Sequence, residues 1–115
     1  PTDGEFMTLE MELGMSESEA NGTGWRGTDQ GTQMKSSPED DPSWNGTNSS
    51  GFSGLAGGNR SYNGDFSSEG DYGYFWSASA DGAGAWSRML SGGDTEVYRS
   101  NTYQRSGFSV RCVRD

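Results

Sequence analysis

The first fourteen residues have the pattern of an amphipathic helix. Thr2 is followed three residues later by Glu5, which is the capping box that begins many helices. Gly14 stands where a C-terminal cap is expected. Between these ends, apolar side chains recur every three or four residues, at Phe6, Leu9 and Leu13. The pattern therefore predicts a helix that buries one face.

A second capping box, Ser16 with Glu19, predicts a further helix of little more than one turn. From residue 21 to about residue 50 the sequence has neither helical nor strand periodicity, so we expect a long loop. Two tryptophans interrupt this polar segment. We expect Trp25 and Trp44 to anchor the loop on the core, with ligand contact as the alternative.

The second half of the chain has the residue types and turn signals of short strands. Aromatic and β-branched runs are separated by pairs such as Asn63-Gly64 and Asp81-Gly82, which favour hairpin turns. The predicted extended segments cover residues 51–58, 73–79, 85–90, 96–99 and 108–113. Two helices followed by four or five antiparallel strands define an α+β domain.

The last predicted strand alternates strictly, which places Phe108, Val110 and Cys112 on one face. Because its neighbours on that face are apolar, we expect Cys112 to be a buried thiol. Trp76 and Trp86 lie in the middle of their strands and are also expected inside. The complete predicted core is Phe6, Leu9, Phe52, Trp76, Trp86, Phe108 and Val110.

Composition limits both the core and the partners. Only 29% of the 115 residues are hydrophobic, so the chain forms at most one domain with a small core. Its aromatic residues argue against disorder and indicate a core built from rings. The net charge of −9 disfavours nucleic acid and anionic membranes as partners. No apolar run is long enough for insertion into a membrane.

Several distinctive segments follow one another along the chain. They are PTDGEF at 1–6, GTQMKS at 31–36, the run at 44–58, GYFWSAS at 73–79, AWSRML at 85–90 and SGFSVRCVRD at 106–115. In this order they resemble the Fibrobacter succinogenes major paralogous domain (FISUMP) family. The resemblance covers essentially the whole chain, as a single domain over residues 1–115.

The resemblance implies a C-type-lectin-like fold, in which an N-terminal helix pair precedes a short-stranded antiparallel sheet with long Gly/Ser-rich loops. It implies a bacterial protein that is extracellular or on the cell surface, often associated with lipoproteins. Such domains are ligand-binding modules with no established chemistry. Some members resemble the variable proteins of diversity-generating retroelements.

The family pattern also includes an upstream strand and a cysteine motif before the first helix. The resemblance therefore implies a disulfide partner for Cys112 that this sequence does not contain. Either the chain is a fragment of a longer protein, which we expect, or it dispenses with that strand and the disulfide.

Most residues needed for common catalytic sites are missing from the sequence. With no His and a single Cys, it excludes the usual nucleophile–base pairs and most transition-metal sites. No motif singles out a pair of carboxylates of the glycosidase type. We therefore expect a domain that is not an enzyme and needs no cofactor. Structural calcium is an alternative at two acidic clusters, Glu39, Asp40 and Asp41 and Asp65, Glu69 and Asp71.

Polar and aromatic residues in the Gly/Ser-rich second half supply a candidate binding face. Tyrosine gives rigid contact area, while Ser, Gly and Asn give adaptable hydrogen bonds, as in antibody loops. The candidates are Tyr62, Asn63, Tyr72, Tyr98, Asn101, Tyr103 and Arg105. For any one tyrosine, packing over the thin core is an equal alternative.

Two functions are consistent with these features. We expect a non-catalytic module that recognises a protein or a glycan. The alternative is a structural or assembly domain that pairs through an open sheet edge with an upstream segment or with another chain.

Overall fold

Both predicted capping boxes form in the structure, a computed structural model that describes residues 1–114. Helix α1 (Asp3–Glu12) begins where the Thr2 hydroxyl accepts a hydrogen bond from the Glu5 amide and the Glu5 carboxylate accepts one from the Thr2 amide. Helix α2 (Glu17–Asn21) begins with the same exchange in the second box. The two predicted helices are confirmed.

The predicted long loop is wrong in part, because it contains regular structure. Strand β1 (Gly24–Arg26) and helix α3 (Gln30–Met34) lie within residues 21–50. Both elements are too short to establish a hydrophobic period, so their sequences do not reveal them. Among residues 1–114, the helices are all too short or too polar to cross a membrane.

Within the described residues, seven strands form one sheet with mixed pairing. The remaining strands are β2 (Gly57–Arg60), β3 (Phe66–Glu69), β4 (Tyr72–Asp81), β5 (Gly84–Ser91), β6 (Val97–Tyr103) and β7 (Ser109–Val110). Their order is β1-β6-β5-β4-β2-β3, and β7 lies beside β4. The two predicted hairpins join β2 to β3 and β4 to β5. The expectation of purely antiparallel pairing is wrong, since β4 runs parallel to both β2 and β7.

The core lies between α1 and one face of the sheet. Phe52 is at its centre, with ring centroids 6.1 Å from Phe6 and 5.3 Å from Phe75. Burial of each such ring contributes roughly 1.5–3 kcal/mol to stability. The buried cluster is Phe6, Met34, Phe52, Phe75, Leu90 and Val97, with Leu9, Leu13 and Trp44 packed against it. The core prediction is therefore confirmed at Phe6 and Phe52, and Leu9 contributes a partly buried side chain.

Four predicted core residues are not part of this cluster. Trp76 and Phe108 stack on each other, 4.4 Å apart, on the opposite face of the sheet. Trp86 is only half-buried, beneath the guanidinium of Arg99. Val110 is 72% exposed, because β7 lies beside β4 for only two residues and is not covered.

The expectation of a buried thiol at Cys112 is also wrong. Its side chain is exposed. The alternating pattern continues through Cys112, but the strand ends at Val110. Without strand neighbours beyond that point, alternation no longer places a side chain against the protein.

The two tryptophans of the 21–50 segment differ. Trp44 is half-buried against the core, as predicted. Trp25 is 37% exposed on β1, so its predicted role as a core anchor is wrong. Its ring packs edge-on against Tyr98, with centroids 5.1 Å apart.

A buried lysine ties the segment after α3 to the end of β5. Lys35 Nζ donates hydrogen bonds to the carbonyl oxygens of Ser91 at 2.7 Å and Asp94 at 3.0 Å. It also lies 5.5 Å from the centre of the Trp44 ring. Burial lowers the pKa of Lys35, and the nearby charge of Asp94 opposes this only in part.

Five charged side chains are buried between α1 and the sheet. They are Asp3, Glu10, Arg26, Arg88 and Arg99. Arg88 connects both acids of α1, donating to Asp3 at 2.7 Å and to Glu10 at 2.5 Å. Arg26 pairs with Glu10, and Arg99 pairs with Asp3. Sequence patterns do not reveal this network, because its partners are far apart in the chain.

The arginines determine the charge state of the buried acid at the start of α1. Burial by itself raises the pKa of Asp3, but hydrogen bonds from Arg99 and Arg88 outweigh it and lower the pKa below its usual value. Asp3 is therefore ionised at neutral pH. A buried ion is tolerated only while it remains paired, so displacement of α1 from the sheet would leave these charges without their partners.

Candidate functional site

Three of the seven candidate binding residues meet at one end of the sheet. Tyr62 from the β2–β3 loop, Tyr103 from the end of β6 and the adjacent Arg105 line a cleft of about 480 Å³, together with Ala83 from the β4–β5 turn. The two tyrosine rings pack edge to face, with centroids 6.2 Å apart. Tyr62 is 61% exposed and Tyr103 is 66% exposed. The cleft thus presents two accessible rings beside a guanidinium.

Hydrogen bonds from one glutamine hold the segment that carries Tyr103 and Arg105. The Gln104 amide donates to the Ala83 carbonyl at 3.2 Å, and Gln104 Nε2 donates to the Gly84 carbonyl at 2.8 Å. These contacts fasten the end of β6 to the β4–β5 turn. Ala83 itself was not among the predicted site residues, because an alanine in a turn carries no signal of binding.

The two candidate asparagines have different roles. Asn101 lines a neighbouring cleft that shares Tyr103, and its side-chain amide donates to Asp81 at 2.8 Å. Asn63 follows the cleft residue Tyr62 in the chain, but its side chain contacts the turn between β2 and β3. There its side-chain oxygen accepts a hydrogen bond from the Asp65 amide at 3.1 Å. Asn101 thus lines the surface next to the first cleft, while Asn63 shapes the hairpin loop.

Tyr72 and Tyr98 are not brought to the cleft. Both are half-buried on the sheet face opposite α1. Tyr98 lies between the buried residues Val97 and Arg99, so strand alternation directs it to that second face. Tyr72 packs against Tyr74, with ring centroids 6.1 Å apart.

The lining of the cleft suits binding. Tyrosine rings provide contact area and hydroxyl groups, and Arg105 provides a positive charge and several hydrogen-bond donors. No cluster of three or more His, Cys, Asp or Glu side chains that would hold a metal ion occurs within residues 1–114.

Asp40, from the first acidic cluster predicted as an alternative calcium site, has a structural role. The Asp40 carboxylate accepts hydrogen bonds from the Ser37 amide at 2.6 Å and from the Asn48 side chain at 3.2 Å. The bond from Ser37, with a smaller contribution from Asn48, lowers the pKa of Asp40. This carboxylate therefore shapes the loop that follows α3.

Comparison with known proteins identifies the family of the chain. The family model of the Fibrobacter succinogenes major domain matches residues 1–114. The chain therefore belongs to this family, which confirms the resemblance carried by its sequence segments. Neither the curated proteins nor the solved structures gave a match.

Proposed function

We propose that this member of the Fibrobacter succinogenes major domain family is a non-catalytic module that recognises a protein or a glycan through the cleft at Tyr62, Tyr103 and Arg105. The observation that carries the proposal is the convergence of these three side chains from separate segments on one accessible cleft. Tyrosine and arginine are enriched among the residues that dominate binding energies at interfaces.

We also propose a C-type-lectin-like fold and a location outside the bacterial cell or on its surface. The family resemblance supports both, and the packing of an N-terminal helix on a sheet that is joined by long loops supports the fold. A role as a variable protein of a diversity-generating retroelement is part of the same proposal. Its test is the gene neighbourhood, where a reverse transcriptase and a near-copy of the 3′ coding end are expected.

The cleft is tested by replacing its three functional side chains together. We expect the variant Tyr62→Ala, Tyr103→Ala, Arg105→Ala to lose at least one ligand that the wild-type domain binds on glycan and protein arrays. The melting temperature should change little, because both tyrosines are more than half exposed. Phe66→Ala is the matched control, since Phe66 is 82% exposed and lies outside the cleft lining. Unchanged binding by the triple variant would contradict the proposal.

Assembly with another chain is the second candidate function. Strand β3 is an outer strand of the described sheet, and it carries the highly exposed Phe66. An open strand edge beside an exposed ring is a template for strand addition. Light scattering over a wide concentration range tests this candidate, and a strictly monomeric protein at every concentration would argue against self-assembly.

A further inference from the structure

A continuous row of large side chains crosses four strands, β1, β6, β5 and β4, on the sheet face opposite α1 and ends at Phe108, just before β7. This cross-strand row consists of Trp25, Tyr98, Met89, Tyr74 and Phe108. In the strand register Trp25 pairs with Tyr98, Tyr98 with Met89, and Met89 with Tyr74. Phe108 stacks on Tyr74 at 5.0 Å and completes the row beside β4. With neighbouring strands about 4.8 Å apart, the row is about 19 Å long.

The cross-strand row is accessible and is not used by the core. Trp25 is 37% exposed, and the other four side chains are partly exposed. The buried cluster lies on the opposite face of the sheet, against α1. The exposed face of an antiparallel sheet usually carries polar residues. A row of four rings and a thioether on that face is thus a feature that the core does not explain.

The next two rows on one side of it carry hydroxyl groups and no charge. Ser100 pairs with Ser87, and Ser87 pairs with Trp76, while Thr102 pairs with Ala85 in the row beyond. The Thr102 hydroxyl lies 3.2 Å from that of Ser87 and 3.1 Å from that of Ser100. Although the whole protein has a net charge of −9, these two rows are uncharged, and their partly exposed hydroxyl groups belong to Ser100 and Thr102, since Ser87 is buried.

We propose that the cross-strand row binds a neutral glycan chain. A sugar ring has C–H groups that pack on the electron-rich faces of aromatic rings, and hydroxyl groups that exchange hydrogen bonds with serine, threonine and tyrosine. An extended chain of such rings matches a long, uncharged row better than a compact ligand does. This surface is separate from the cleft at Tyr62 and Tyr103, so the proposal stands independently of the cleft.

The net charge argues against the other large ligands. Nucleic acids and acidic polysaccharides carry the same sign of charge as the protein and are repelled. A second copy of the chain also carries nine net negative charges, so stacking two copies through this face is opposed by the same repulsion. A neutral polymer has no such cost.

Affinity gel electrophoresis tests the proposal, because the acidic protein migrates in a native gel and a bound immobile polysaccharide slows it. The probes are mixed-linkage β-glucan, glucomannan and arabinoxylan as neutral polymers, with polygalacturonate as the acidic control. We expect at least one neutral polymer to retard the wild-type domain. The variant Trp25→Ala, Tyr98→Ala should weaken binding at least about tenfold, since it removes the contact area of two large aromatic side chains.

An exposed side chain on the other side of the sheet provides a matched control. Met11 is 37% exposed, as Trp25 is, but it lies on α1. We expect Met11→Ala to bind the neutral polymer as the wild type does. Added salt should leave the retardation unchanged, because the contacts are uncharged.

Thermal unfolding of each variant separates binding from folding. If the double row variant does not fold, Trp25→Ala alone decides the test, because this exposed residue lies on an outer strand. Trp25→Phe should recover part of the binding by restoring a ring. The proposal is overturned if no neutral polymer retards the wild type, if the row variants bind as tightly as the wild type, or if the row binds only a protein or polygalacturonate.

Discussion

Asp3 and Arg99 form a bidentate ion pair between residues 96 positions apart. Arg99 Nη2 donates to Asp3 Oδ2 at 2.7 Å, and Arg99 Nε donates to Asp3 Oδ1 at 3.1 Å. Both side chains are buried, and Asp3 also pairs with Arg88. Through these two arginines, Asp3 joins the beginning of α1 to strands β5 and β6.

Removing the charge of Asp3 should strongly destabilise the domain. Asp3→Asn leaves two buried guanidinium groups without their shared carboxylate, and loss of one partner in a buried pair typically costs about 3–5 kcal/mol. Urea unfolding of the variant measures this loss. Glu12→Gln, an exposed change on the same helix, should alter the free energy of unfolding by less than about 0.5 kcal/mol. Equal stability of the two variants would show that the pair contributes little.

Acid should destabilise the protein through the same residue. The pKa of Asp3 is lower in the folded state than its ordinary value near 3.9, so the unfolded chain takes up the proton first as the pH falls. The contribution of Asp3 is thus complete above about pH 4 and is lost as the pH falls through its lower folded pKa. Urea unfolding at a series of pH values from about 6 to about 3 should show the decline. In Asp3→Asn the free energy of unfolding should decline less steeply as the pH falls. A pH profile identical to that of the wild type would show that Asp3 is not the source of the decline.

The thiol of Cys112 should react in the folded protein. Its side chain is exposed beyond the end of β7, so a thiol reagent reaches it without unfolding. We expect one equivalent to react under native conditions, at a rate close to that in denaturant. Protection that disappears only on unfolding would show that the C-terminal segment covers the thiol.

Two glycine substitutions should have opposite effects on stability. At Gly31 an added methyl group would overlap the backbone oxygens of Glu96 and Thr95, the latter at 2.8 Å, so Gly31→Ala should cost about 1–3 kcal/mol. At Gly4, inside α1, the nearest atom would be the Thr2 hydroxyl oxygen at 3.8 Å, and Gly4→Ala should stabilise the helix by up to about 1 kcal/mol. Thermal melts of the two variants compare the effects directly, and shifts in the same direction would contradict the packing at Gly31.

The features that were predicted correctly depend on residues close together in the chain. The boxes at Thr2 and Ser16 and the Asn63-Gly64 and Asp81-Gly82 turns form through neighbouring backbone groups, so their sequence patterns are sufficient. The short elements β1 and α3 are not predicted from the sequence, because three to five residues are too few to show a helical or strand pattern of apolar positions. Residue type alone predicts the candidate binding residues. The fold divides them among the first cleft, the neighbouring cleft at Asn101, the hairpin loop at Asn63 and the second sheet face.

Tertiary structure alone decided which distant residues meet. Burial of Asp3 and Glu10 depends on arginines supplied by β1, β5 and β6, and the cross-strand row depends on the register of four strands. Alternation along the last strand could not reveal that pairing stops at Val110 and leaves Cys112 exposed. Helix caps and hairpin turns, in contrast, follow from the sequence because their hydrogen bonds span only a few residues. Burial and surface chemistry follow from contacts between segments, which only the folded chain brings together.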